Sequence, residues 1–457
     1  MRRSSTSSCR PSVRSRRWGC LGALFVFVAF LTGGSAIAGE RAPARLDTQV
    51  AVPRLLTLPE AEALLLKHSL AVAIARHQVE AAQAERLIAS VRPNPTLNLG
   101  ATQFPFTKPF ANAAYNIQQY EFGVDQVIER GNKRGLRTAV AEQNLRAAEL
   151  QVLDAIRTQR FQLQQSFVAA QLARDNIYVA EENLGSINDT ERLIRTQVDA
   201  GQVPEGDLIK FQANRVQFQQ ALLSAKLAYE QAVRDILNLL GASPSDVVGA
   251  APPDGSPAFQ GSTLYITGDF RADTVTATLP ELRAAAADNR PDVLAAERSL
   301  EAASKNVDLQ MASRTRDLTV GAQYLRVGPD NTFGVTMSFP LFIFNYYRGE
   351  IDRANAQRRQ AEVALRQVMV QANTDVEKAY QANSVSRQTL GVYTSEALQR
   401  AEESYRIAEQ AYREGASTLL DLLDARRTLN QTRVAANQAR SDYATSLYQL
   451  EQAVGKP

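Results

Sequence analysis

One constant spacing relates the two halves of this 457-residue chain. Identical residues recur 214 positions apart, in the pairs Gly201 and Gly415, Asp207 and Asp421, Leu208 and Leu422, Tyr229 and Tyr443, and Gly241 and Gly455. Composition alone does not keep one offset over such a distance, so the pattern indicates an internal duplication. We therefore expect the fold to consist of two copies of one unit.

The first 38 residues are predicted to be an export signal. Six arginines and no acidic residue lead into an apolar run at residues 21–31, and Ala38 ends a small-residue cleavage sequence. The rival interpretation is a membrane anchor, for which this run is short. Cys9 and Cys20 both lie in the segment, so the exported chain is expected to lack cysteine and disulfides.

Removal of the signal changes the net charge of the chain. The whole chain has 51 basic and 48 acidic residues and a charge of +3. Without the six arginines of the signal, 45 basic residues stand against 48 acidic ones, a net of about −3. No basic stretch of the exported chain argues for nucleic-acid binding.

Each half is predicted to contain a short helix, two strands and a long helical hairpin. In the first half, proline-free helical patterning of about 65 residues, or about 100 Å, runs to Ala200, and a return helix starts at Glu205. The second long helix is predicted from Arg348 to Glu414, and its partner from Thr418. The predicted segments are an N-terminal extension at 39–56, a first repeat at 57–241, a connector at 242–278 and a second repeat at 279–457.

The strands are predicted to have one apolar and one polar face. The apolar residues alternate with Thr, Ser, Asn and Gly, and those expected to face lipid are Leu97, Leu99, Phe122, Val320, Tyr324, Phe333, Val335 and Phe339. Four strands cannot close a barrel, so closure would need strands from several identical chains. The alternative is that the two hairpins pack on a soluble core. The predicted fold class is α+β, mostly α.

This order of elements, with the duplicated Gly-x-x-x-x-x-Asp-Leu turns, resembles the TolC family of outer-membrane efflux factors over the whole exported chain. The resemblance implies a homotrimer whose chains each contribute four strands to one twelve-stranded barrel, with the helices forming an α-helical barrel in the periplasm. It places the connector near the equatorial region. It also implies a periplasmic adaptor and an inner-membrane pump of the resistance-nodulation-division type as partners. Residues 126–135 are similar to the heavy-metal efflux branch, which suggests metal cations as cargo.

The resemblance also implies roles for residues at the two turns. Asp421 and Asp424 match positions that form acidic rings at the periplasmic entrance, and Asp207 and Tyr412 match positions that hold it shut. Ser417 stands where the family has an arginine of this closing network. The adaptor-docking turns would include Gly201, Leu208, Gly415, Ser417 and Leu422.

An enzymatic function is not expected. His68 and His77, the only histidines, are nine residues apart, which does not match metal-ligand spacing on one helix. Asp421 and Asp424 share a helix face, but no partner base accompanies them. We expect no cofactor and no bound metal. The alternative function is a periplasmic coiled-coil adaptor or structural protein without a barrel, which should carry one hairpin rather than a duplication.

Overall fold

The computed structural model describes residues 50–103, 118–250 and 262–455. The predicted signal lies outside the described residues. Within them, the chain forms long helices and one four-stranded sheet, which confirms a mostly helical α+β chain with four long strands. None of the helices in these ranges combines the length and the apolar character needed to cross a membrane.

The first half begins with a capped short helix and ends in a long helical pair. Its elements are β1 (Val52–Pro53), β2 (Leu55–Leu56), α1 (Leu58–His68), α2 (Leu70–Ser90), β3 (Thr96–Thr102), β4 (Gln119–Ile128), α3 (Lys133–Asp199) and α4 (Glu205–Leu239). At the start of α1, the backbone N–H of Thr57 donates to Glu60 Oε2 at 3.0 Å, which satisfies an otherwise unpaired donor. α3 has 67 residues, about 100 Å of helix.

The second half repeats this order of elements. They are β5 (Val247–Val248), β6 (Tyr265–Ile266), α5 (Leu279–Asn289), α6 (Pro291–Ala312), β7 (Leu318–Val327), β8 (Asp330–Ser338), α7 (Arg348–Val392), α8 (Leu398–Arg413) and α9 (Leu419–Val454). Thr278 and Glu281 cap α5 as Thr57 and Glu60 cap α1.

The second long helix differs from its prediction as one continuous element. A π-helical segment at Tyr393–Ala397 separates α7 from α8. Such a segment inserts an extra residue into the helical ladder and so rotates the side chains that follow it. Periodic patterning over short windows does not register a single inserted residue, which is why the sequence predicts an uninterrupted helix.

The long strands of both halves form one antiparallel sheet in the order β3-β4-β7-β8. The register places Leu99 opposite Phe122, Phe122 opposite Tyr324, and Tyr324 opposite Phe333, which makes one row across the sheet. Each outer strand, β3 or β8, has a single neighbour among the described residues. Its other backbone edge is therefore open to pairing.

Two short parallel strand pairs, which the sequence does not predict, attach the connector to the N-terminal extension. β1 pairs with β5, and β2 pairs with β6. Beside them, the hydroxyl of Tyr229 donates to the carbonyl of Leu264 and accepts the N–H of Ile266, both at 3.0 Å. Burial raises the pKa of Tyr229 to about 12, so the hydroxyl stays protonated and keeps its donor. The largest apolar cluster lies here, between α1, α3 and α4.

Candidate functional site

The two turns at the ends of the long helices have the same backbone geometry. Gly201 has φ of 70°, and its N–H donates to the carbonyl of Val198 at 2.9 Å. Gly415 has φ of 75°, and its N–H donates to the carbonyl of Tyr412 at 3.1 Å. In each turn the next residue donates five positions back, which completes a Schellman motif. Glycine is needed at both positions because other residues avoid a positive φ.

The helices that follow the two turns begin differently. Thr418 caps α9 through a reciprocal pair: its hydroxyl and its N–H donate to Asp421 Oδ2 at 2.7 and 3.0 Å, and Asp421 N–H donates back at 3.3 Å. These bonds lower the pKa of Asp421 below its ordinary value of 3.8. Pro204 holds the capping position of α4 and offers no hydroxyl to Asp207. Asp421 is thus engaged in a cap that its counterpart lacks.

Asp207 lies near enough to Tyr412 for its charge to act on the tyrosine, and the role of the two residues in closing the entrance stays a prediction. Tyr412 is buried between the turns, and its hydroxyl donates to Gln197 Oε1 at 3.4 Å. Burial raises the pKa of Tyr412, and the negative charge of Asp207 raises it further. Asp207 itself pairs with Lys210 at 3.2 Å. The protonated hydroxyl of Tyr412 therefore links α8 to the end of α3.

Asp424 differs from Asp421 in its contacts. It is exposed on α9 and makes no hydrogen bond or ion pair with the described residues. Its carboxylate is thus free to bind a cation or to contact a partner chain. The acidic rings predicted from both residues stay a prediction, since they need more than one chain.

The remaining turn residues divide into buried and exposed ones. Leu422 is only 3% exposed and packs with Ile194 and Phe211, while Leu208 lies against the same cluster. Packing, rather than direct contact with another protein, is therefore the role that this conformation gives to Leu422. Ser417 does not replace the missing arginine, because its Oγ is buried without a hydrogen-bond partner among the described residues.

Sequence reasoning missed Arg426, which lies behind the turns. Its side chain is 4% exposed, and its guanidinium lies 5.3 Å from the ring centroid of Tyr405. Burial lowers the pKa of Arg426, and the guanidinium makes no ion pair with a described residue that would compensate for the loss of water. It lines a cavity of about 350 Å³ between α3, α8 and α9. The spacing of Leu422, Arg426 and Leu429 along one helical stripe is the signal that could have identified it.

At the sheet, the residues predicted to face lipid share one face. Leu97, Leu99, Phe122, Tyr324, Phe333, Val335 and Phe339 are exposed, whereas Val320 is half-buried. Phe339 lies one residue beyond the end of β8. The opposite face carries the predicted polar residues, and there Asn98 Nδ2 donates to Asp125 Oδ2 at 2.6 Å. The sheet therefore separates apolar from polar side chains.

No metal centre is found among the described residues, since no three His, Cys, Asp or Glu side chains cluster there. His77 Nδ1 instead lies 3.1 Å from Glu80 Oε2 on the exposed face of α2.

A family model described as "Outer membrane efflux protein" matches two segments, residues 62–242 and 282–456. Nodulation protein T of Rhizobium leguminosarum bv. trifolii is 25% identical over 64% of this chain, which spans only 61% of that relative. The cobalt-zinc-cadmium resistance protein CzcC of Cupriavidus metallidurans is 24% identical over 89% of this chain and 92% of its own length. The pyoverdine export protein OpmQ of Pseudomonas aeruginosa is 26% identical over 83% and 80%.

Solved structures share the fold at low identity. The Campylobacter jejuni CmeC outer membrane channel superposes with a TM-score of 0.73 at 17% identity, covering 87% of this chain and 85% of its own. CusC gives a TM-score of 0.72 at 18% identity, covering 88% and 92%. The relatives are named for metal, siderophore and nodulation systems alike, so the heavy-metal branch suggested by residues 126–135 is not singled out.

Proposed function

We propose that this chain, which belongs to the outer membrane efflux protein family, forms the outer-membrane exit channel of a tripartite efflux system. The observation that carries the proposal is the sheet. Its apolar face is exposed across all four strands, and Phe333 is 74% exposed. Such a face suits lipid, and the polar face suits a water-filled lumen.

The open edges of β3 and β8 support assembly as a homotrimer. Three copies, each adding four strands edge to edge, would supply twelve, an even number within the range of known barrels. Closure would pair every open edge and so remove the tendency of free edges to aggregate. The long helices would then extend into the periplasm towards a periplasmic adaptor and an inner-membrane pump of the resistance-nodulation-division type.

The two turns would form the periplasmic entrance and the adaptor-docking end. We assign the acidic ring mainly to Asp424, whose carboxylate is uncommitted, because Asp421 serves the cap of α9. Asp207 and Tyr412 would hold the entrance closed through the contact between the hairpins. The similarity to CzcC supports metal cations as the cargo. Selection among them would belong to the pump, because the exported chain has no cysteine and its described residues form no cluster of metal ligands.

Fractionation tests the proposal directly. The full chain, expressed with its signal, should be recovered from outer membranes as a detergent-soluble trimer that conducts ions in planar bilayers. The alternative of a periplasmic adaptor requires a protein in the soluble periplasmic extract that does not conduct. Recovery in that extract would overturn the channel.

The cargo is tested separately in a strain that lacks this gene. Restored resistance to cobalt, zinc or cadmium on complementation would support metal export. Normal metal tolerance with sensitivity to organic compounds would overturn that part of the proposal and leave the channel intact.

A further inference from the structure

The chain that follows β8 exposes an unusual amount of apolar surface. The nine residues 339–347 have no regular secondary structure, and Leu341, Ile343, Phe344 and Tyr346 are exposed, with Phe344 at 97%. The segment continues the apolar face of the sheet through Phe339. A contiguous exposed apolar patch of this kind indicates a contact surface.

Basic residues concentrate at the same junction between sheet and helices. The segments 92–95, 128–137, 312–317 and 338–350 contain three acidic residues, Glu129, Asp317 and Glu350. They contain eight basic residues, namely Arg92, Arg130, Lys133, Arg134, Arg137, Arg314, Arg316 and Arg348. The exported chain as a whole is slightly acidic, so this excess is local.

Contacts between the segments show that they meet in space. The N–H of Arg130 donates to Asp317 Oδ1 at 3.0 Å, and Lys133 Nζ donates to the same oxygen at 2.8 Å. Arg314 Nε donates to the carbonyl of Tyr346 at 3.3 Å. The guanidinium of Arg316 lies 5.6 Å from the ring centroid of Phe342. The basic residues therefore lie directly beside the exposed apolar segment.

Several of these charges have no acidic partner among the described residues. Lys133 pairs with Asp317, and Arg137 donates to Glu129 at 2.7 Å. In contrast, the side chains of Arg92, Arg130, Arg134 and Arg316 are exposed and make no ion pair with the described residues. Two of them, Arg92 and Arg134, line one cavity of about 480 Å³ together with Ile128 of the apolar face. The cavity thus joins free positive charge to apolar surface.

We propose that this junction, residues 92–95, 128–137, 312–317 and 338–350, binds the phosphate headgroups of anionic phospholipids in the periplasmic leaflet. The inference rests on the proposed membrane location of the sheet. Guanidinium groups bind phosphate oxygens in a bidentate manner, and aromatic residues such as Phe344 and Tyr346 suit the boundary between headgroups and acyl chains. Basic clusters beside membrane-embedded surfaces recognise anionic lipid in this way.

The test uses the full-length trimer in vesicles of phosphatidylethanolamine with or without phosphatidylglycerol, followed by quantification of the lipid that co-purifies. The wild type should retain phosphatidylglycerol preferentially. The variant with Arg92→Gln, Arg130→Gln, Arg134→Gln and Arg316→Gln should lose that preference, by about fivefold for each arginine. Lysine at the same four positions keeps the charge and should preserve most of the preference.

Matched controls are exposed arginines far along the helices from the sheet, Arg192→Gln, Arg195→Gln and Arg400→Gln, which should leave the preference unchanged. Equal retention of phosphatidylglycerol by the wild type and the glutamine variant would overturn the proposal. Displacement of the lipid by inorganic phosphate would also overturn it, since the site would then bind free anions. A wild type that never forms a membrane-embedded trimer would overturn the proposed function as well, whereas an assembled trimer without lipid preference would overturn this inference alone.

Discussion

Single residues set the geometry of both turns. Gly201 and Gly415 occupy the left-handed region, and no atom outside the local backbone lies within 4 Å of a Cβ built at either. Their requirement for glycine is therefore conformational and not steric. Thr418 adds a second local device, the reciprocal cap with Asp421, which the first turn lacks because Pro204 replaces it.

We predict that Gly415→Ala destabilises its turn by about 1–2 kcal/mol, the cost of a left-handed conformation for a residue with a Cβ. Gly185→Ala is the matched control, because Gly185 lies inside α3 with open space around it and should gain about 0.5–1 kcal/mol as alanine. Amide hydrogen exchange in residues 413–418 and around residue 185 measures both changes. Equal effects at the two sites would contradict the conformational explanation.

We predict that Thr418→Ala loosens the start of α9 by about 1 kcal/mol at neutral pH. The pKa of Asp421 is lowered in the folded chain, so its contribution is fully present above the unfolded value of about 3.8 and is lost as pH falls through the lower, folded value. The difference in amide exchange between wild type and variant should therefore shrink in acid. The bond from the Asp421 N–H to the Thr418 hydroxyl does not titrate, so part of the difference should remain. A difference that is undiminished well below pH 3.8 would show that the Asp421 carboxylate does not contribute to the cap.

At the scale of elements, the four-stranded sheet joins the long strands of the two halves as direct neighbours. β4 of the first half pairs with β7 of the second, and the register keeps the apolar side chains of all four strands on one face. Val335 lies on the apolar face at 71% exposure, and its neighbour Thr336 lies on the polar face. Substitutions at these two adjacent residues can therefore test the apolar and the polar face of the sheet separately.

We predict that Val335→Lys impairs assembly of outer-membrane trimers, because a charge near the middle of the lipid belt costs about 2–4 kcal/mol. Thr336→Lys should assemble normally, since its ammonium group would lie in the water-filled lumen. The yield of trimers in outer-membrane fractions measures the difference. If both variants assemble equally well, either the register or the membrane location of the sheet is wrong.

At the scale of the whole molecule, the two turns act together only after the helical pairs pack against each other. Tyr412 of α8 then reaches Gln197 of α3, and Arg426 becomes buried between α3, α8 and α9. In a trimer, Asp424 would occur three times around one constriction. Rings of carboxylates concentrate cations at a narrow mouth.

We predict that Asp424→Asn lowers the cation selectivity of the reconstituted channel, measured as a reversal potential in planar bilayers at low salt, where screening is weakest. Asp421→Asn should weaken the cap of α9 and change selectivity less, because its carboxylate is held by Thr418. Asp442→Asn, an exposed acid far along α9, is the control and should have no effect. Unchanged selectivity in Asp424→Asn would remove the ring and leave the turns a structural and docking feature.

The sequence by itself determined the features that depend on neighbouring residues. The duplicated turns, the caps, the alternation of the strands and the length of the first long helix all follow from local backbone preferences and periodic burial, and the structure contains each of them. These preferences act over a few residues, so they can be read along the chain. The same local information cannot register the π-helical segment, because a single inserted residue barely changes a periodic pattern.

Only the tertiary structure decided which distant residues meet. The contact of Tyr412 with Gln197, the burial of Arg426, the parallel pairs that β1 and β2 form, and the gathering of arginines beside residues 339–347 all join segments far apart in sequence. No stretch of the exported chain is strongly basic, yet four separate segments assemble a basic junction. Packing of long helices brings such segments together, and that packing depends on side-chain fit along whole elements, which spacing in the sequence does not encode.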